Sequence, residues 1–254
     1  MKIYIIFCFS ILTLHMHGAP SKVLLIGNSV FDRNSLEKMI EYIAVDNQYS
    51  LSITKFTIDG ATISESLGRF INQTRSKNKK NRLTQSFWKS GDNDYKYFTK
   101  QIRSFDYIFL QATSLKEDKF VDIVNSIVKV KKKDTKIFIY QNYCTVLWDD
   151  SIRSNEININ KQFFENCFSK TANLLPVGDW FNNIYSSKNI KNKTLLINDM
   201  HPSTLGSAVI AIGIYYYITN QIPLFDKGLL QKQIGDANVA DLKIIMNEIL
   251  YEKR

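Results

Sequence analysis

Histidine, cysteine and proline are scarce in this chain, with three, three and four among 254 residues. His15, His17 and Cys8 all lie in the segment from Met1 to Ala19, which reads as a secretory signal. Lys2 supplies its positive start, Ile3 to Leu14 a short apolar core, and Gly18-Ala19 small residues for cleavage. The apolar run is too short for a comfortable membrane span. His17 stands three residues before the cut, where a smaller residue is usual, so an uncleaved anchor is the alternative. Cys8 lacks the small preceding residue of lipid-modified signals, so export without lipidation is expected.

Loss of that segment leaves His201 as the one imidazole of the mature chain, and any imidazole chemistry must use it. Cys144 and Cys167 remain as a pair. A disulfide between them is open to an exported protein, and a buried free thiol on the amphipathic stretch around Cys167 is the equal alternative. A cysteine-based metal site lacks ligands.

No internal repeat, low-complexity tract or Pro/Gly-rich linker divides the chain, so residues 20–254 are expected to form a single domain. Hydrophobic residues at 44% and charged residues at 22% suit a folded protein with a sizeable core. The net charge of +9 is concentrated locally, in Arg75 to Arg82 and in Lys129 to Lys133. Neither run interleaves aromatics with cations and no nucleic-acid-binding motif accompanies them, so solvated surface, or weak attraction to an anionic envelope, is expected and nucleic acid is not.

Short apolar runs alternate with helical patterns. Strands are expected at Lys22–Ile26, Leu51–Phe56, Asp106–Leu110, Lys136–Gln141 and Leu174–Gly178. Helices are expected at Asn34–Asp46, Ala61–Asn72, Tyr95–Phe105, Glu117–Lys132, Glu156–Asn173, Ser203–Asn220 and Asn238–Tyr251, with a long loop over Asn142–Asn155. That order implies an α/β fold: one three-layer α/β/α domain around a five-stranded, doubly wound parallel sheet, with any site at the carboxyl ends of the strands.

Ser29 stands at the first such end, in Gly27-Asn28-Ser29, where a strand gives way to a helix. A helix start offers free N–H groups and a positive dipole end to an oxyanion beside the hydroxyl, which makes Ser29 a candidate nucleophile. The alternative is that it caps the helix near Asn34 or fills a tight turn. Gly60, Gln111 to Ser114 and Gln141-Asn142 fall at other strand ends.

Gly27-Asn-Ser29, Asp59-Gly60-Ala-Thr and Asp199-Met-His201-Pro202, the last followed by Gly206 and an apolar helix, together resemble the SGNH hydrolase superfamily, the GDSL-type esterases and lipases. The resemblance covers nearly all of the mature length and implies a flavodoxin-like SGNH fold. It makes Ser29 the nucleophile, His201 the general base, and Ser29 and Gly60 N–H donors to the oxyanion hole. A weakly nucleophilic hydroxyl needs a base, the base an acceptor that fixes its tautomer, and the oxyanion preorganised donors.

The chain departs from that pattern twice. The family's aspartate lies three residues before the histidine; here that place holds Asn198, and Asp199 lies two before. Asp199 is favoured as the orienter; Asn198, or a Ser-His pair without an acid, are the alternatives. The block that normally brings an oxyanion asparagine reads Gln111-Ala-Thr-Ser114. Gln111 is the expected substitute and Thr113 an alternate, against a reading in which Gln111 ends a strand and binds backbone.

The implied activity is an exported, periplasmic or secreted serine esterase without metal or organic cofactor. A short acyl or acetyl ester on carbohydrate is preferred over a lipid ester. The alternative is an SGNH-fold binding protein of the cell envelope with impaired catalysis. Phe87, Trp88, Tyr143, Leu147 and Trp148 could form a saccharide platform, an acyl channel, or simply packing.

Overall fold

The computed structural model describes residues 19–59, 61–68, 93–112, 119–143, 150–187, 194–197, 201–247 and 249. Strand β1 (Ser21–Gly27) runs through the middle of the molecule, with Val23, Leu24, Leu25 and Ile26 all inaccessible to solvent. A strand covered on both faces reads as a continuous apolar run, which is why this segment lacks polar alternation. Around it lie β2 (Leu51–Thr57), β3 (Tyr107–Leu110), β4 (Lys136–Tyr140) and β5 (Asn173–Leu175), in the order β2-β1-β3-β4-β5 with every pairing parallel. The five-stranded parallel sheet expected from the sequence is the sheet observed.

Two helical layers follow from the period-two alternation of side chains along the strands. Val23, Leu25, Phe109, Phe138, Tyr140 and Leu175 face the layer of α2 (Leu36–Asp46), α7 (Val177–Ser186), α8 (Thr204–Thr219), α9 (Leu229–Ile234) and α10 (Asp236–Met246). Leu24, Ile26, Ile108, Leu110, Ile137 and Ile139 face α3 (63–68), α4 (Asn93–Ile102), α5 (Phe120–Val130) and α6 (Asp150–Cys167). Helix α8 is apolar all round because it is wrapped all round: α2 and α10 pack on it, and most of its length is buried.

Several boundaries differ from expectation for identifiable reasons. Helix α2 begins at Leu36, because Asn34 and Ser35 both take left-handed backbone conformations, each with φ of 54°. The last strand stops at Leu175, and α7, for which the sequence offered Asp179 as a candidate cap, starts two residues after that strand and holds Asp179 in its first turn. Pro176 at its N-cap contributes no side-chain bond; instead Gln141, at the end of β4, accepts from Gly178 N–H through its carbonyl (3.2 Å) and from Asp179 N–H through Oε1 (3.0 Å). Helix α6 begins at Asp150, inside the stretch expected as loop. Cys167, the last residue of α6, is exposed and free, so it is neither bridged nor a buried thiol. Cys144 and the basic run Arg75 to Arg82 lie outside the described residues. The second basic run spans the end of α5, with Lys129 in its last turn and Lys131 to Lys133 beyond it, and Lys132 pairs with Asp106 at 2.8 Å. Among the described residues, no helix is long and apolar enough to cross a membrane.

Gly206 sits where α8 crosses the backbone of Leu195, and a methyl group there would overlap the Leu195 carbonyl. Gly206→Ala is expected to lower the unfolding free energy by about 1–3 kcal/mol, as overpacking does. Urea unfolding of the two proteins measures it.

Candidate active site

The sheet supplies the site's location. The chain passes from β1 to β2 on one side and then crosses to β3 on the other, so the strand order reverses between β1 and β3. Open α/β sheets have their crevice at such a point. Gly27 closes β1 there, and the turn that follows is held from several directions.

Asn28, extended at φ −117° and ψ −152°, is the N-cap of α1 (Ser29–Asp32), a helix of 4 residues. Its Oδ1 accepts from Val30 N–H (3.1 Å) and its carbonyl from Phe31 N–H (3.1 Å) and Asp32 N–H (3.3 Å). The cap is therefore Asn28, not Ser29, and the serine hydroxyl is left for other work. Because α1 is one turn long, what stands behind Ser29 is a local N–H rather than the dipole of a long helix. Among the described residues, that N–H has no acceptor.

Beneath the turn, Gln111 continues β3 and is buried. Its Oε1 accepts from Asn28 N–H (2.8 Å), and its Nε2 donates to Ala112 O (2.9 Å). A donor on one side and a carbonyl on the other fix which end of the amide is which. Gln111 was expected to donate to an oxyanion. Its amide is instead bonded to backbone, because the buried N–H of Asn28 needs an acceptor. Gly27 has to be glycine for the same reason: a Cβ there would lie 2.7 Å from Gln111 Oε1. Ser66, on α3, adds a bond to Gly27 O at 2.6 Å.

The outer side of α1 is tied to β2. Asp32 Oδ1 accepts from Lys55 Nζ and from Thr57 Oγ, each at 2.9 Å. Lys55 also pairs with Glu37 at 2.9 Å. The hydrogen bond from Lys55, helped by Thr57 and opposed by burial, holds the Asp32 carboxyl below its ordinary pKa.

His201 reaches the serine from the other end of the chain. It opens β7 (His201–Pro202), which pairs antiparallel with β6 (Leu196–Ile197) in a ribbon that the sequence reading did not anticipate. Ser203 closes the ribbon: its N–H donates to Leu195 O (2.8 Å), its hydroxyl to Thr194 O (2.6 Å), and the same hydroxyl caps α8 by accepting from Gly206 N–H (3.1 Å). So held, His201 Nε2 lies 2.9 Å from Ser29 Oγ. Ser29 is 8% exposed, open enough for a small group to approach and shielded from bulk water otherwise. No described residue accepts from His201 Nδ1.

Two of the expected site residues are thus together, Ser29 and His201, and Gln111 is next to them in another role. Gly60, Thr113, Asn198 and Asp199 lie outside the described residues, as do Phe87, Trp88, Leu147 and Trp148. Tyr143 packs its ring flat on Phe181 (centroids 4.7 Å apart), which favours packing over a saccharide platform. No three acidic, histidine or cysteine side chains among the described residues group as metal ligands do. The sequence reading offered Ser29 as the possible cap and missed Asn28, although an Asn directly before a helix start is the usual signal.

No protein-family model matches the chain, and no curated protein matches it. The fold has similar solved structures. A DUF4886 family protein from Bacteroides uniformis superposes with a TM-score of 0.59 at 16% identity, over 92% of this chain and 96% of that one. A catalytic mutant of Axe2, an acetylxylan esterase from Geobacillus stearothermophilus, superposes with a TM-score of 0.52 at 13% identity, over 80% of this chain and 95% of that one. At these identities the likeness is one of fold: the three-layer α/β/α arrangement expected for SGNH hydrolases.

Two outcomes follow. Gln111→Leu leaves Asn28 N–H buried without an acceptor, so the unfolding free energy should drop by about 1–3 kcal/mol, read by urea unfolding. Asp32 titrates at a lower pH when folded than when unfolded, so its contribution to stability is complete above the unfolded value and fades as pH falls through the folded one. Unfolding free energies followed from about pH 6 down to about pH 2 should fall less steeply in Asp32→Asn than in the parent.

Proposed function

We propose that the protein is a serine esterase acting through a Ser29 acyl-enzyme. The observation that carries this is the 2.9 Å contact between Ser29 Oγ and His201 Nε2 at the sheet's switch point. The hydroxyl gives its proton to Nε2 as Oγ attacks the ester carbonyl carbon, whose π electrons move onto oxygen. The N–H of Ser29, together with that of Gly60, meets the oxyanion. Collapse expels the alcohol, which takes the proton from Nε2. Water then repeats the sequence on the acyl-enzyme, and the acid leaves.

Asp199 is the residue we assign to orient His201 through Nδ1, and export to the periplasm or beyond is the setting. A short acyl or acetyl ester on carbohydrate is the substrate class we favour. The fold shared with an acetylxylan esterase supports an ester of that kind without naming it. One observation favours the other reading, an SGNH-fold envelope protein that binds without turnover: Gln111, the expected third oxyanion donor, is bonded to backbone.

Labelling of the purified protein by a fluorophosphonate, alongside hydrolysis of an aryl acetate, separates them. Label and turnover should vanish in Ser29→Ala and fall at least ~1,000-fold in His201→Ala. A folded parent that neither labels nor turns over would remove the esterase reading. Asp199→Ala should lower kcat by up to about 10,000-fold if it orients the imidazole; a loss below ~10-fold would leave a Ser-His pair.

A further inference from the structure

Asn34 and Ser35 are consecutive non-glycine residues in the left-handed region, at φ 54°, ψ 22° and φ 54°, ψ 50°. Such positions persist when surrounding contacts over-determine them, and they cluster where a site needs them. Asn tolerates this conformation best when its side chain bonds locally. Here the side chain instead crosses to the other end of the chain. Nδ2 donates to Pro202 O and to Ser207 Oγ, each at 2.8 Å, so both amide hydrogens are used. The Asn34 carbonyl in turn accepts from Gln233 Nε2 on α9 at 3.1 Å.

We infer that Asn34 is the positioning residue that sets the distance between Ser29 and His201, an inference that rests on the esterase reading for its effect on rate. Pro202 directly follows His201, and Asn34 follows the end of α1, so this amide joins the nucleophile's helix to the base's ribbon. Among the described residues, the ribbon is also tied through its own segment, by Ser203 to Thr194 and Leu195, and Leu195 and Leu196 pack into the core. Those bonds shape the ribbon but do not locate it against α1. Asn34 does, and the left-handed turn aims it there. Gln233 braces the turn from behind.

A residue acting this way changes turnover more than affinity, since it touches no substrate. Misplacement by about 1 Å can cost about 100-fold in rate. Asn34→Gly accepts the left-handed backbone and lacks the clamp; Asn34→Asp keeps shape and backbone preference but cannot donate to Pro202 O. Both should lower kcat and the fluorophosphonate labelling rate by roughly 10- to 100-fold with KM within about 2-fold. Ser207→Ala, which leaves the bond to Pro202 O, should cost far less. A crystal structure of Asn34→Gly should show the Ser29 Oγ to His201 Nε2 separation lengthened beyond hydrogen-bond reach. Parental kcat with the parental separation in both variants would overturn the inference. The separation needs no turnover to be measured: an inert parent whose Ser-His contact is lost in Asn34→Gly would defeat the esterase reading and leave the clamp standing.

Discussion

The bond from Asn28 N–H to Gln111 Oε1 is the constraint on which the site's construction depends. A chain that leaves a buried strand and turns at once into a helix carries N–H groups into a place where water cannot serve them. Asn28 supplies its own side chain to Val30, but its own N–H needs an acceptor from elsewhere. The neighbouring strand β3 delivers one, and the requirement propagates. Gly27 must lack a side chain to admit the glutamine, and Gln111 commits its Oε1 and one Nε2 hydrogen to backbone. One hydrogen bond thus sets both the glycine of the turn and the orientation of the glutamine amide.

How much of this was legible depended on where each signal sits. Strands such as Val23 to Ile26 and Ile137 to Tyr140 announce themselves because burial on both faces demands an unbroken apolar run. Ser29 and His201 were legible through scarcity and context: His201 is the one imidazole outside the Met1–Ala19 segment, and a serine stood at a strand end. Helix α7 was legible only in part: Asp179-Trp-Phe could be read as packing under the site or as a helix cap, but the acceptors at the helix start come from Gln141, which is 38 residues away from Asp179 in sequence. Gln111's true partner is 83 residues away, so its amide looked available. Asn34 read as the beginning of a helix, since polar residues there usually are; a left-handed turn whose side chain serves Pro202 leaves no local trace.

The site's parts therefore differ in when they can form. The cap of α1 by Asn28 and the cap of α8 by Ser203 are local and need only a few residues to be ordered. The bonds from Gln111, Asp32 and Asn34 are non-local and exist only after β2 and β3 have paired with β1 and α8 has packed against α2. Because closing long loops costs entropy before contacts return it, these ties belong to the final consolidation of the fold. The Ser29-His201 contact is downstream of all of them.

That dependence also says where slack would appear. The sheet and α8 are held by extensive burial, which single substitutions erode only gradually. The ribbon bearing His201 has two residues in each strand; Leu195 and Leu196 anchor one side of it in the core, and side-chain bonds from Asn34 and Ser203 add direction to that anchoring. A hydroxyl and an imidazole stop exchanging a proton once they part by more than hydrogen-bond distance. Burial alone leaves such a ribbon free to shift by fractions of an ångström, and the directional polar clamps around it are what hold a hydroxyl and an imidazole within that distance.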